Sequence, residues 1–232
     1  MWTATIIAAG GFGKRFGGEQ KKQFVTLLGK PILLWSLHPF LISTLIDEIV
    51  VVVPAEDLDF FRQEILRLFH QQKSITCTAG GEYRQESVSN GLKQVSLDSD
   101  VILIHDAVRP FVTEQMIING VNGCRKNGAV IYAVPETDTV IEIENQKVKR
   151  IIDRNCIWRV QTPQIFRRDL LVSAVQKAQE EGFIGTDEST LIRRLGHPVN
   201  VLQGSYDNIK ITIPEDLEIA ELIVKRRREF LF

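Results

Sequence analysis

Short apolar runs recur along the chain at 3–8 (TATIIA), 48–53 (EIVVVV), 74–79 (SITCTA), 100–105 (DVILIH) and 129–134 (AVIYAV). They are mostly β-branched and carry little alternation, which suits strands covered on both faces. Amphipathic stretches at 31–41, 56–70, 86–95 and 114–126 separate them and predict helices. Strand and helix in alternation predict right-handed crossovers. The expected fold is α/β: a Rossmann-like, mainly parallel twisted sheet flanked by helices.

Residues 136–156 (ETDTVIEIENQKVKRIIDRNC) break that rhythm. Two alternating runs, TVIEI and VKRII, flank ENQK, the pattern of a β-hairpin. A projecting hairpin exposes its apolar stripe, and such stripes are usually covered by a partner. The expectation is a dimerisation arm and a homodimer; the competing reading is a flap folded on its own domain. Beyond the arm, helices are predicted at 167–181, 187–195 and 214–228, with a strand at 198–202. Thr212 or its neighbour would cap the last helix, Pro214 lies near its first turn, and Glu215 and Asp216 suit its positive end. No internal repeat or low-complexity linker interrupts residues 1–232, which read as one domain including the arm.

Composition narrows the function classes. The chain is 44% apolar and 25% charged with a formal net charge of −1. Near-neutrality argues against nucleic acid as a partner. No apolar run reaches 18 residues, which argues against a membrane span, and no signal-peptide pattern is seen. Cys77, Cys124 and Cys156 are widely spaced, which fits a reduced, cytoplasmic protein. The four histidines form no zinc-binding pair. The basic tail KRRREF reads as cations at a helix C-terminus.

Local charge is concentrated just after the first strand. Residues 8–24, AAGGFGKRFGGEQKKQF, hold five glycines and four cations. In open α/β sheets ligands bind beyond the carboxyl ends of strands. Glycines there let the backbone approach a ligand, and exposed N–H groups form an anion nest. Arg15, Lys21 and Lys22 offer charge for several phosphates. The stretch departs from GxGxxG and from a P-loop, since Gly13-Lys14 is followed by Arg15. A phosphate loop of another kind is expected, against the alternative of a solvated basic loop.

Further segments carry a resemblance: GGEYRQESV (80–88), HDAVRPF (105–111), DTV (138–140), DRNCIWRVQTPQIF (153–166), TDE (186–188) and NIKIT (208–212). With AGGFGKRF…KKQF (9–24) they resemble the 2-C-methyl-D-erythritol 4-phosphate cytidylyltransferase family of sugar-phosphate nucleotidyltransferases, over residues 3 to about 224. The ribitol-5-phosphate cytidylyltransferases share most of these segments; DRNCIW and TDE favour the methylerythritol family. Many members begin the loop Pro-Ala-Ala-Gly, whereas this chain has Ala8-Ala9-Gly10-Gly11. A non-catalytic nucleotide-binding relative is the third reading, and the intact Arg15, Lys22, Asp106 and Lys210 argue against it.

The resemblance implies transfer of CMP from CTP to methylerythritol phosphate, releasing pyrophosphate. It casts Arg15, Lys22 and Lys210 as catalytic cations. It implies that Ala9, Gly10, Gly11, Gly13, Gly81, Glu82, Ser87, Asp106 and Ala107 bind the nucleotide. Arg109, Thr139, Arg154, Thr162 and Lys210 would bind the polyol phosphate, with Thr139 and Arg154 reaching the neighbouring subunit's site. Asp106, at a strand end, suits Mg²⁺ or another divalent cation held together with CTP phosphates. His105 is read as a hydrogen-bonded strand-end residue, Trp158 and Phe166 as core, and Asp187 and Glu188 as caps of the helix 187–195.

Overall fold

A computed structural model describes residues 1–10, 25–65 and 73–227. Among these residues, seven strands form the central sheet in the order β11 (Asn200–Gln203), β7 (Ala129–Pro135), β10 (Trp158–Arg167), β6 (Ser99–Asp106), β1 (Trp2–Ala8), β4 (Glu48–Val53) and β5 (Ser74–Ala79). β1 lies parallel between β4 and β6, and β5 extends the parallel set beyond β4. β7 pairs in parallel with β11. Each predicted apolar run is thus a strand of this sheet.

β10 (Trp158–Arg167) was not anticipated, although it lies inside the sheet, antiparallel to both β6 and β7. Its sequence hides it. The stretch WRVQTPQIFR mixes Arg, Gln and Pro, and its first three residues are exposed while the next six are buried. Its register with β7 shifts between Gln161 and Gln164, which gives Pro163, a residue without an N–H, a place in an interior strand. Phe166 is fully buried as expected. Trp158 is 41% exposed and is not core, because it opens β10 beyond the cover of the helices.

Successive residues of a strand face opposite sides, so the sheet has two cores. On one side Ile7, Val51 and Leu103 pack under α1 (Ile32–Ile42) and α4 (Glu114–Asn127) through Leu37, Phe40 and Ile117. On the other, Ile6, Val50 and Ile104 meet Val88 of α3 (Arg84–Leu92), Leu171 of α5 (Arg168–Glu180) and Ile192 of α6 (Glu188–Arg194). A third cluster joins α7 (Glu215–Arg226) to Leu27, Trp35, Phe111 and Ile211; Leu27 belongs to the small ladder of β2 (Thr26–Leu27) with β3 (Lys30–Pro31). It anchors the segment carrying Lys210 to the rest of the molecule.

Two local expectations change. The stretch from 56 begins with a 3₁₀ turn at Ala55–Asp57, a single α turn, α2 (Leu58–Phe60), and a wide π turn at Phe61–Ile65, before passing outside the described residues. Thr212 does not cap α7. Instead Asp216, within the helix, accepts from the backbone N–H groups of Thr212 and Ile213.

The predicted hairpin is present as β8 (Val140–Glu144) and β9 (Lys147–Ile152), a two-stranded sheet of its own. Asn145 and Gln146 both have positive φ, the two-residue turn whose twist matches the strands. Ile141 lies opposite Ile151, and Ile143 opposite Val148; all four are exposed. Glu142 and Glu144, one residue out of phase with the apolar set, form ion pairs with Lys149, and Glu142 also with Arg150.

Candidate functional site

The strand order changes direction at β1. The chain runs from β1 outward to β4 and β5, then returns to place β6 on the other side. The carboxyl ends of β1 and β6 therefore flank a topological switch point, where α/β sheets take ligands. Ala9 N–H donates to Val52 O at 2.7 Å, Gly80 N–H to Val53 O at 2.7 Å, and Ala107 N–H to Ala8 O at 3.1 Å. These bonds prolong the parallel ladders by one residue each. The N–H groups of Ala9 and Ala107, both expected to bind nucleotide, are spent in doing so.

Gly10, after β1, and Gly80, after β5, meet at the end of β4, which lies between those two strands. A Cβ on Gly10 would lie 2.9 Å from Ser87 Oγ, and one on Gly80 2.8 Å from the same atom. Two chains can come this close only without side chains. Ser87 is buried; its hydroxyl accepts from Gly81 N–H at 3.1 Å and donates to Tyr83 O at 3.2 Å. It shapes the 80–83 turn from below. Glu82 N–H is likewise held, by Glu86 Oε2 at 2.8 Å.

Asp106 closes β6 and is the hub of the charged groups. Its Oδ1 accepts from Arg84 Nε at 3.1 Å and its Oδ2 from Lys210 Nζ at 2.8 Å. Arg109 Nε stands 3.7 Å from Oδ2. Arg84 continues to Glu188, donating from Nη1 to both oxygens at 2.7 and 2.8 Å. Burial alone would raise the Asp106 pKa, but Arg84, Lys210 and Arg109 together outweigh it and hold the carboxyl far below the usual range. Burial pushes Glu188 up, partly offset by Arg84. Three cations thus face two carboxylates, leaving the cluster with one positive charge in excess.

Beneath this cluster runs a chain of neutral hydrogen bonds. His105 is fully buried, with Nε2 3.0 Å from Arg109 O and Nδ1 2.9 Å from Thr162 Oγ1. A carbonyl can only accept, so Nε2 carries the proton and Nδ1 accepts from the Thr162 hydroxyl. That hydroxyl also accepts from Asp106 N–H at 3.1 Å. Burial lowers the His105 pKa to about 4, which keeps the ring neutral. His105 is therefore a strand-end residue in a filled network, as expected. Thr162, expected on the polyol phosphate, is buried with its one proton committed to His105.

Arg109, also expected on the substrate, mainly clamps backbone. Its Nη1 donates to Asn208 O at 2.9 Å and its Nη2 to Val160 O at 3.2 Å. Asn208 in turn donates to Thr162 O at 2.9 Å. The clamp fixes the 208–210 segment against β10 and so sets where Lys210 emerges. Lys210, 39% exposed, and Arg109 border a cleft of about 450 Å³ whose apolar wall includes Val160, Ile209 and Ile219.

The structure brings Gly10, Gly81, Ser87, Asp106, Arg109, Thr162 and Lys210 to one end of the sheet. Gly11, Gly13, Arg15 and Lys22 lie outside the described residues. Thr139 and Arg154 are exposed on the arm, where Arg154 donates to Thr137 O at 3.0 Å; no hydrogen bond or ion pair among the described residues ties them to Asp106. Asp187 caps α6 by accepting from Thr190 N–H, whereas Glu188 turns inward to Arg84. Sequence reasoning passed over Arg84 and took Glu188 for a cap of α6, a role that Asp187 alone fills. One signal was present: Arg84 opens α3, and a cation at a helix's positive end needs compensation.

Comparison with known proteins adds an independent line. The family model described as IspD, 2-C-methyl-D-erythritol 4-phosphate cytidylyltransferase, matches residues 3–226. A curated relative of that name from Alkaliphilus oremlandii is 41% identical over 228 residues, covering 98% of this chain and 97% of the relative. Another, from Syntrophus aciditrophicus, is 42% identical over 222 residues and covers 95% of each. Among solved structures, the 4-diphosphocytidyl-2C-methyl-D-erythritol synthase of Anaerococcus prevotii superposes with a TM-score of 0.85 at 32% identity, covering 97% of this chain and 96% of that one. The 2-C-methyl-D-erythritol 4-phosphate cytidylyltransferase of Thermus thermophilus gives 0.81 at 29% identity, covering 97% and 100%.

Proposed function

Because the chain belongs to the 2-C-methyl-D-erythritol 4-phosphate cytidylyltransferase family, we infer that it joins CTP to 2-C-methyl-D-erythritol 4-phosphate. The products are 4-diphosphocytidyl-2-C-methyl-D-erythritol and pyrophosphate, on the route to isoprenoid precursors. The observation that carries the reading is the Asp106 cluster, a net-cationic group at the switch point beside a glycine-only approach.

An oxygen of the polyol phosphate forms the new bond to the α-phosphorus of CTP. The bond from that phosphorus to the bridging oxygen breaks, and pyrophosphate leaves with the electron pair. A phosphate monoester has a second pKa of about 6, so the nucleophile is already ionised at neutral pH. No general base is required, and His105, neutral with both ring nitrogens in use, offers none. The obstacle is that two polyanions must meet, so catalysis is charge neutralisation and positioning. Lys210 is the partly exposed cation that can leave Asp106 for a phosphate oxygen. Arg15 and Lys22, in the loop after β1, add charge for the triphosphate, and Gly10, Gly11 and Gly13 let the nucleotide lie against the backbone. Arg109 and Thr162 act on the substrate through Lys210 and the walls they hold.

A divalent cation fits the donor set at Asp106. A carboxylate offers about four lone-pair positions, more than Arg84 and Lys210 occupy, and Mg²⁺ commonly takes one carboxylate with substrate phosphates. No group of three or more metal-binding side chains occurs among the described residues; Asp106 would hold the ion together with phosphate oxygens of CTP. The ion, when bound, offsets charge on the phosphate oxygens.

The arm is assigned to a second copy of the chain. Its support is the exposed stripe of Ile141, Ile143, Val148 and Ile151 on a hairpin outside the main sheet. Thr139 and Arg154 would then serve the neighbouring site. No helix among the described residues is long and apolar enough to cross a membrane. We propose one catalytic domain with its arm, acting in the cytoplasm, a reading supported by its free cysteines. The test is pyrophosphate release from CTP, methylerythritol phosphate and Mg²⁺, with ribitol 5-phosphate and the other triphosphates alongside. Fast release with the first pair is expected. Silence at high enzyme concentration, or faster turnover of the ribitol ester, would overturn the assignment.

A further inference from the structure

Glu188 lies behind the charged cluster, with a side chain only 2% exposed. Its helix start is fixed from two directions. Asp187 Oδ1 accepts from Thr190 N–H at 2.9 Å, and Gln164 Nε2 donates to Asp187 Oδ2 at 2.7 Å. Gln164 Oε1 also accepts from Ser189 N–H at 3.2 Å. Gln164 sits on β10 directly opposite Ile104 of β6, two residues before Asp106. Glu188 is thereby tied to the same strand pair that ends in the hub.

Arg84 spans the gap between the two carboxylates. Nη1 takes both oxygens of Glu188, and Nε is left for Oδ1 of Asp106. A guanidinium is a rigid planar fork, so fixing one edge fixes the other. With Oδ1 engaged by Arg84, Oδ2 is the oxygen presented to Lys210. We propose that Glu188 is a positioning residue for the transfer: it orients Arg84, and through it the Asp106 carboxylate that sets the place of Lys210. The proposal rests on the cytidylyl-transfer reading above.

A role in stability alone is a poor explanation. Replacing a whole buried ion pair by apolar side chains of similar size is often neutral or stabilising, whereas removing one partner is costly. Exchanging Arg84 as well as Glu188 therefore separates the two roles. Glu188→Gln leaves Arg84 partly uncompensated, while Arg84→Met with Glu188→Leu removes both charges at once. Wild type and both variants are compared for melting temperature, kcat of pyrophosphate release and KM for CTP, at a temperature where each is folded.

Melting is expected to fall in Glu188→Gln and to return toward wild type in the double variant. In both, kcat should drop about 10- to 100-fold, since misplacement by about 1 Å can cost that much. KM for CTP should stay within about threefold, because Gly10 and Gly80 are untouched. A Glu188→Gln kcat within twofold of wild type overturns the proposal. So does a double variant that recovers melting and kcat together, or failure of both variants to fold, which would make the pair a folding requirement. Wild-type silence would strike the transfer reading itself, and is seen before any variant is compared.

Discussion

The Asp106 cluster and the 140–152 hairpin handle charge in opposite ways. In the cluster, two of the ion pairs join residues 104 positions apart, and both carboxylates are almost fully buried. In the hairpin, Glu142, Glu144, Lys149 and Arg150 pair with near neighbours in solvent, while the apolar side chains are left uncovered. Buried pairs lose several kcal/mol when broken, whereas exposed ones contribute about 0–1 kcal/mol. Breaking the cluster's pairs is therefore costly. The hairpin's charges keep one face wet and leave its apolar face bare.

The largest test of this contrast is Asp106→Asn, which leaves Arg84, Arg109 and Lys210 facing one another across a neutral amide. Loss of about 3 kcal/mol or more is expected, read as a lowered urea midpoint at pH 7. An unchanged midpoint would mean that the cations are compensated elsewhere. Lys210→Ala should invert the profile. Its ammonium is partly in water, so the midpoint should move little. The rate of pyrophosphate release should fall about 10²–10³-fold, as for loss of one transition-state donor. A mutant that melts early but turns over normally would assign Lys210 to the fold instead.

Each region was legible to a different depth. The hairpin could be read from alternation and a short polar turn because its contacts are local: Asn145 and Gln146 close it, and Val140 to Glu144 find their partners within 12 residues. The parallel strands β1, β4, β6 and β7 were legible because burial on both faces leaves continuous apolar runs such as EIVVVV, whereas β5, an edge strand in which Cys77 alone is buried, was legible from its β-branched residues. β10 was not, since four of its ten residues are exposed and Gln161, Pro163 and Gln164 interrupt any period. In the site, position marked Asp106 at a strand end and odd composition marked Lys210 between isoleucines. Beyond the cation that opens α3, the link between Arg84 and Glu188 left no local trace. It depends on how α6 docks on β10 through Gln164 and Asp187, a tertiary fact.

The buried network under the cluster should also make the protein acid-sensitive in a way the hairpin is not. His105 has its pKa lowered from 6.5 to about 4 by burial, so the unfolded chain binds the proton more tightly. Stability from this group is complete above pH 6.5 and is lost as pH falls toward 4. The total is roughly 3 kcal/mol, from about 1.4 kcal/mol per pH unit. Urea midpoints at pH 7 and pH 5 should show the loss, and His105→Gln should flatten the slope. An equal slope in that variant would assign the acid sensitivity to other groups.

The smallest effects belong to the arm, where the two faces can be set against each other. Glu142→Gln removes ion pairs with Lys149 and Arg150 that stand in solvent, and should shift the melting midpoint by no more than the equivalent of about 1 kcal/mol. Ile151→Lys should do equally little to the fold of the single chain, because Ile151 is 71% exposed and packs under nothing there. If the apolar stripe is where a second copy docks, the two substitutions part company in sedimentation: Glu142→Gln stays associated and Ile151→Lys becomes monomeric. Activity should follow the sedimentation and not the melting curve, because Thr139 and Arg154 would then have lost the neighbouring site. A fully active Ile151→Lys monomer would return the arm to the role of a flap on its own chain.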